Sequence, residues 1–117
     1  MKKRFSKYLQ CGEDMEIHFV YKVNDEPTDL AEGDNLIIAI YSINNRCLFT
    51  GSLEDGKIIH GPNVGEYILS MTFEDNVNMP DKTIMEIVIK DYEGKVKHTK
   101  DDVMLYWNNN KINDLVR

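Results

Sequence analysis

The stretch Gly65-Glu66-Tyr67-Ile68-Leu69-Ser70-Met71-Thr72-Phe73 decides how the rest of the chain is read. Tyr67, Leu69, Met71 and Phe73 fall on one side of an extended backbone. Glu66, Ser70 and Thr72 fall on the other, where Ile68 is the one apolar residue. A period of two marks a strand with one buried and one wet face. Read as a helix, the same residues would put polar Ser70 inside the apolar stripe. The expectation is therefore a strand whose inward side chains run from Tyr67 to Phe73, with Leu69 at its centre.

Other segments can pair with this strand or pack over it. Upstream, Ile17, Phe19, Tyr21 and Val23 alternate with Glu16, His18, Val20 and Lys22, the pattern of a half-buried strand. Asn24-Asp25-Glu26-Pro27-Thr28-Asp29 is turn chemistry, since proline fixes φ and Asn and Asp bond locally to the backbone. The run Leu36-Ile37-Ile38-Ala39-Ile40-Tyr41 is apolar on both faces, as an interior strand would be. Glu54-Asp55-Gly56 separates Arg46–Thr50 from Lys57–His60 and reads as a hairpin turn. Downstream, the residues from Asp75 to Asp81 read as a polar loop. Met85, Ile87 and Ile89 then share a strand face, Asp91-Tyr92-Glu93-Gly94 turns tightly, and Val103 to Trp107 forms a last apolar run.

Seven to eight short strands at roughly 8–12 residue spacing, with turn signals between them, predict an all-β antiparallel immunoglobulin-like β-sandwich. Residues 1–13 are expected to be an extended basic N-terminal arm, 14–107 the sandwich and 108–117 a C-terminal tail. A chain of 117 residues suits one domain with a core large enough to need no metal or disulfide. Cys11 and Cys47 lie in no CxxC spacing and are expected as free thiols.

Charge is unevenly placed. Lys2, Lys3, Arg4 and Lys7 are four of the fourteen basic residues and sit among the first eight positions with no acid between them. The other ten bases face twenty acids, a balance of −10 against a whole-chain charge of −6. An acidic body argues against nucleic-acid binding, which needs clustered Lys and Arg. The cationic arm, with Phe5 and Tyr8 interleaved, reads as a partner-binding segment: mobile alone, ordered on an acidic neighbour, and removable without loss of stability. Met1 to Arg4 lacks the apolar stretch that a signal peptide needs, and no run nears the ~20 apolar residues of a membrane span. Neither export nor membrane association is expected.

Chemistry is sparse. His18, His60 and His98 lack local ligand spacing, and the acids cluster in turns, where Asp serves the backbone. No GxSxG or phosphate-cradling glycine loop is present, so neither catalytic residues, nor a metal, nor a cofactor is expected, and the protein is read as a non-enzyme. Tyr106-Trp107 is read first as core packing of the sandwich. If exposed, these two and Tyr92 are the candidates for contact with a glycan or partner, because exposed aromatics often anchor binding. They support an alternative reading as a glycan-binding or adhesion module.

Several segments together resemble the N-terminal Ig-like domain of tailed-phage baseplate upper proteins and related virion decoration proteins. They are Glu16-Ile17-His18-Phe19-Val20-Tyr21, Pro27-Thr28-Asp29-Leu30, the buried run Leu36 to Tyr41, Gly56-Lys57-Ile58, Gly65-Glu66-Tyr67, and Ile89-Lys90-Asp91-Tyr92-Glu93-Gly94-Lys95-Val96. The resemblance spans roughly residues 14–99. It implies a virion structural or auxiliary protein of the capsid, head–tail junction or baseplate. Such a protein is made in the host cytoplasm and holds other virion proteins, or copies of itself, in a larger assembly without catalysis.

Overall fold

The computed structural model describes residues 5–108, apart from the side chains of residues 5–8, 10 and 100–102. The strands are β1 (Phe5–Gln10), β2 (Met15–Val20), β3 (Lys22–Val23), β4 (Glu26–Pro27), β5 (Asn35–Ser42), β6 (Cys47–Ser52), β7 (Ile58–His60), β8 (Glu66–Met71), β9 (Lys82–Lys90) and β10 (Val96–Asn108), with one short helix, α1 (Phe73–Asn76). Eight of these strands form two facing sheets. One has the order β1-β10-β9-β5-β6, the other β2-β8-β7, and β3 and β4 make a separate two-stranded ribbon. This is the expected immunoglobulin-like β-sandwich, with the variable-type extension of one sheet by β6.

The core lies between the sheets. Ile17 of β2, Leu69 and Met71 of β8, Ile38 and Ile40 of β5, Met85 of β9 and Leu105 of β10 are almost wholly buried. Neither β2 nor β9 contains cysteine, so aliphatic side chains stand where antibody domains place the inter-sheet disulfide. Cys11 and Cys47 are both free thiols. Gly51 of β6 is required by close approach of the sheets: a Cβ there would come within 2.9 Å of a Leu69 methyl. β5 is indeed interior, paired with β6 on one side and β9 on the other.

The arm expected over residues 1–13 is corrected for its described part. β1 pairs in parallel with β10, from Phe5 opposite Val103 to Gln10 opposite Asn108. The segment is extended, but it belongs to the sheet, and this pairing departs from an otherwise antiparallel order. A backbone ladder needs no apolar side chains from the strand that joins it, so a basic composition did not keep this segment off the sheet. After β1, Cys11 is buried and its thiol donates to the carbonyls of Asn76 at 2.8 Å and Val77 at 3.2 Å. The tail assigned to 108–117 lies, beyond Asn108, outside the described residues.

Four local expectations also change. Phe73 does not continue the β8 face. Thr72 caps α1, its hydroxyl accepting from the Asp75 amide while the Asp75 carboxylate accepts from the Thr72 amide at 2.8 Å, and Phe73 is left exposed. This reciprocal capping satisfies amides that a longer strand would leave without a partner. Ile68, placed on the wet face, is buried because β8 is the middle strand, with His18 and Ile59 opposite it on either side. The Asp55-Gly56 turn links β6 and β7, which lie in different sheets, so it is a crossover and not a hairpin. The supposed polar loop over Asp75–Asp81 begins inside α1 and buries Asn76 and Met79.

Two stability measurements follow. Leu69→Ala should cost about 2–5 kcal/mol in chemical denaturation, the range for truncating a fully buried leucine. A cost below about 1 kcal/mol would place Leu69 outside the core. Deleting residues 2–8 removes most of β1 and uncovers the flank of β10, so thermal unfolding should fall by several degrees, where a free arm would leave it unchanged.

Candidate functional site: an apolar groove at the open edge

The feature best suited to binding is a groove of about 920 Å³ between the two sheets at one edge of the sandwich. One wall is β2 and the segment after it, contributing Ile17, Phe19, Val20, Tyr21 and Val23. The other is supplied by Ile87 and Ile89 of β9 and by His98, Thr99 and Val103 of β10. Val20 and Val23 are exposed on its rim, and Phe19 and Tyr21 are half-buried.

Among the described residues, β1 covers β10 from Val103 to Asn108, and the groove lies beside the part of β10 before that ladder. A register shift between Lys100 and Val103 bends β10 at that boundary. Among the described residues, no strand flanks the first half of β10 on that side, and none flanks the outer edge of β2. The Tyr21 and His98 rings approach across the gap with centroids 6.2 Å apart. Nearby, Lys97 Nζ meets the largely buried Asp34 carboxylate at 2.7 Å, and that partner raises the Lys97 pKa.

A second polar constellation organises the loops beside β8. Asp29 accepts from His60 Nε2 and from the Gly65 amide, each at 2.7 Å. Gly65 has φ of +75°, and a Cβ there would meet the Thr28 amide and the Tyr21 carbonyl at 2.7 and 2.8 Å. The Tyr67 hydroxyl accepts from the Leu30 amide, and its ring meets the His60 ring edge-on at 5.0 Å. The Asp29 bond raises the His60 pKa, and the His60 and Gly65 bonds lower that of Asp29. On the same sheet, His18 lies within 3.4 Å of Glu16 and 3.3 Å of Glu66, and its bond lowers the Glu66 pKa. Among the described residues, no group of three or more His, Cys, Asp or Glu side chains could hold a metal ion.

The site residues read from the sequence are scattered. Lys2, Lys3 and Arg4 lie outside the described residues, and Phe5, Lys7 and Tyr8 are placed only as backbone in β1. Tyr92 is 80% exposed in the turn between β9 and β10. Trp107 is 4% exposed, and its indole N–H donates to the buried Thr83 hydroxyl at 2.9 Å. The aromatic platform is therefore corrected. Trp107 belongs to the core, half-buried Tyr106 points from the opposite face of β10, and Tyr92 sits beyond the other end of that strand, about 30 Å away. The groove itself was missed, because its walls come from segments some seventy residues apart. The signal within reach was the apolar run from Phe19 to Val23, which continues past the end of a half-buried strand.

No family model matches the chain, and no curated protein matches it. Among solved structures, a match is found to a structure of murine CRIg, at 15% sequence identity over 92% of this chain and 96% of that one, with a TM-score of 0.42.

The His60–Asp29 pair predicts a pH dependence. A raised His60 pKa means its contribution is complete below the ordinary histidine value of about 6.5 and is lost as pH rises through the folded value. The lowered Asp29 pKa means its contribution is complete above about 4 and is lost as pH falls through the folded value. Stability should therefore decline on the alkaline side of about pH 6.5, and His60→Gln should flatten that decline. An unchanged slope in His60→Gln would show that the pair contributes nothing.

Proposed function

We propose that this domain is a bacteriophage virion structural or auxiliary protein, an attachment module that works by protein–protein contact and not by catalysis. The observation that carries the contact mode is the apolar groove lying beside the open edge of β2. Such a place can take an extended segment that pairs its backbone with the edge and sets alternate side chains into the gap. The virion setting is supported by the resemblance of the segments between residues 14 and 99 to tailed-phage Ig-like domains. Its partners would be other virion proteins or copies of itself. Lys2, Lys3 and Arg4 would add cations against an acidic neighbour, a contribution that salt weakens. The glycan-binding alternative loses its main support with Trp107 in the core.

Val20→Glu and Val23→Glu test the reading, because both residues are exposed on the groove rim and can change without disturbing the core. Quantitative mass spectrometry of purified virions should find the wild-type protein in fixed stoichiometry. The doubly substituted protein should be depleted at least about tenfold, the effect of placing unpaired charge against an apolar contact. Absence of the wild-type protein from particles, or full incorporation of the variant, would overturn the proposal.

A further inference from the structure

β2 is the outermost strand of its sheet, and the hydrogen bonds of β8 show which of its backbone groups are free. Ser70 donates to the Lys57 carbonyl at 2.9 Å, and the Glu66 carbonyl accepts from Gly61 at 2.8 Å, so the even-numbered residues of β8 bond toward β7. Its odd-numbered residues bond toward β2, where Ile17 lies opposite Leu69 and Phe19 opposite Tyr67. The Tyr21 amide keeps this parity by donating to the Gly65 carbonyl. The N–H and C=O groups of Glu16, His18 and Val20 therefore point out of the sheet, and among the described residues no strand lies there.

We propose that this edge pairs with β2 of a second copy of the chain, antiparallel about a two-fold axis through Ile17. The inference rests on reading the domain as an attachment module, and it names one partner and one register. In that register Ile17 faces its own counterpart in a non-hydrogen-bonded pair. Glu16 lies opposite His18 of the second copy, and His18 opposite its Glu16, both as hydrogen-bonded pairs. The free backbone groups are thus on the residues that the register needs. The side chains agree as well, because the glutamate accepts and the imidazole donates, and the symmetry makes the contact twice. Glu16 and His18 are both exposed on the outer face. Centring the axis on His18 instead would set histidine against histidine and Glu16 against Val20.

The inner face fits the same arrangement. Met15 lies opposite Phe19 of the second copy, and both are half-buried residues packed on the core cluster. Met15, Ile17 and Phe19 of each chain project to the side of the sheet that faces the groove, so the second copy adds apolar cover to its open flank. Exposed charges usually keep edge strands apart. Here the outward carboxylate and imidazole complement those of an identical edge.

Sedimentation velocity on the purified full-length chain, from micromolar to millimolar concentration, tests the pairing without any other virion protein. Its result is therefore independent of uptake into particles. A concentration-dependent dimer is expected. Glu16→Lys and His18→Glu should each weaken it by about tenfold, because the first removes the carboxylate acceptor from both symmetric pairs and the second sets two carboxylates against each other. The double variant Glu16→Lys/His18→Glu reverses the pairs and should restore dimerisation to within about threefold of wild type. His18→Pro removes an outward N–H without touching the bonds to β8, and it should abolish the dimer while the circular dichroism spectrum is retained. Three results would overturn the proposal: a monomer at every concentration, a dimer indifferent to the single substitutions, or a double variant no better than the singles.

Discussion

The ladder between β1 and β10, from Phe5 opposite Val103 to Gln10 opposite Asn108, closes one side of this molecule, and the rest of the sandwich is arranged around it. Along it, β10 has a strand on each side. Toward Val96, among the described residues, β10 is paired with β9, and the gap between the sheets opens beside β2.

The closed half is held by two kinds of interaction. Aliphatic burial between the sheets supplies the non-directional part, at roughly 25 cal/mol per Å² of apolar surface removed from water. A few buried polar contacts fix geometry. Trp107 bonds to Thr83 at the inner surface of β9 and β10. Asn76 donates to the carbonyls of Glu13 at 2.7 Å and Thr72 at 2.9 Å, while the Cys11 thiol donates to the carbonyl of Asn76 itself. These bonds tie the turn after β1 to the helix after β8. Among the described residues, no buried side-chain nitrogen or oxygen is left without a hydrogen-bond partner. Cutting any of these bonds would leave a buried polar group unmatched, at a cost of about 1–3 kcal/mol.

The anchored corner contrasts with the edge of β2, where among the described residues no strand pairs with the outward backbone groups. The two polar pairs on the other sheet serve a different end. Asp29 and His60 hold the loop that positions Gly65, and Gly65 in turn starts β8, the strand that carries Leu69. Charge chemistry here maintains backbone geometry, and among the described residues no group of three or more His, Cys, Asp or Glu side chains could hold a metal ion.

Period-two patterning in Ile17–Val23, Tyr67–Met71 and Met85–Ile89 determined the strands, their inward faces and the sandwich class, because burial on one face is a local property of sequence. The double-sided run from Leu36 to Tyr41 likewise identified an interior strand. The end of β8 was also written locally, in the Thr72-Phe73-Glu74-Asp75 capping pattern, although alternation with Met71 made Phe73 look like more strand. Which strands became neighbours was not local. Backbone ladders form without regard to side-chain charge, so a basic segment could join the sheet as β1, and the Asp55-Gly56 turn could carry the chain across to the other sheet. Trp107 offered the same sequence signal whether buried or exposed, and only the packing of β10 on the core, with Thr83 within reach, placed it inside. The groove and, among the described residues, the open edge of β2 depend on how strands distant in sequence lie beside one another, and only the tertiary structure sets that.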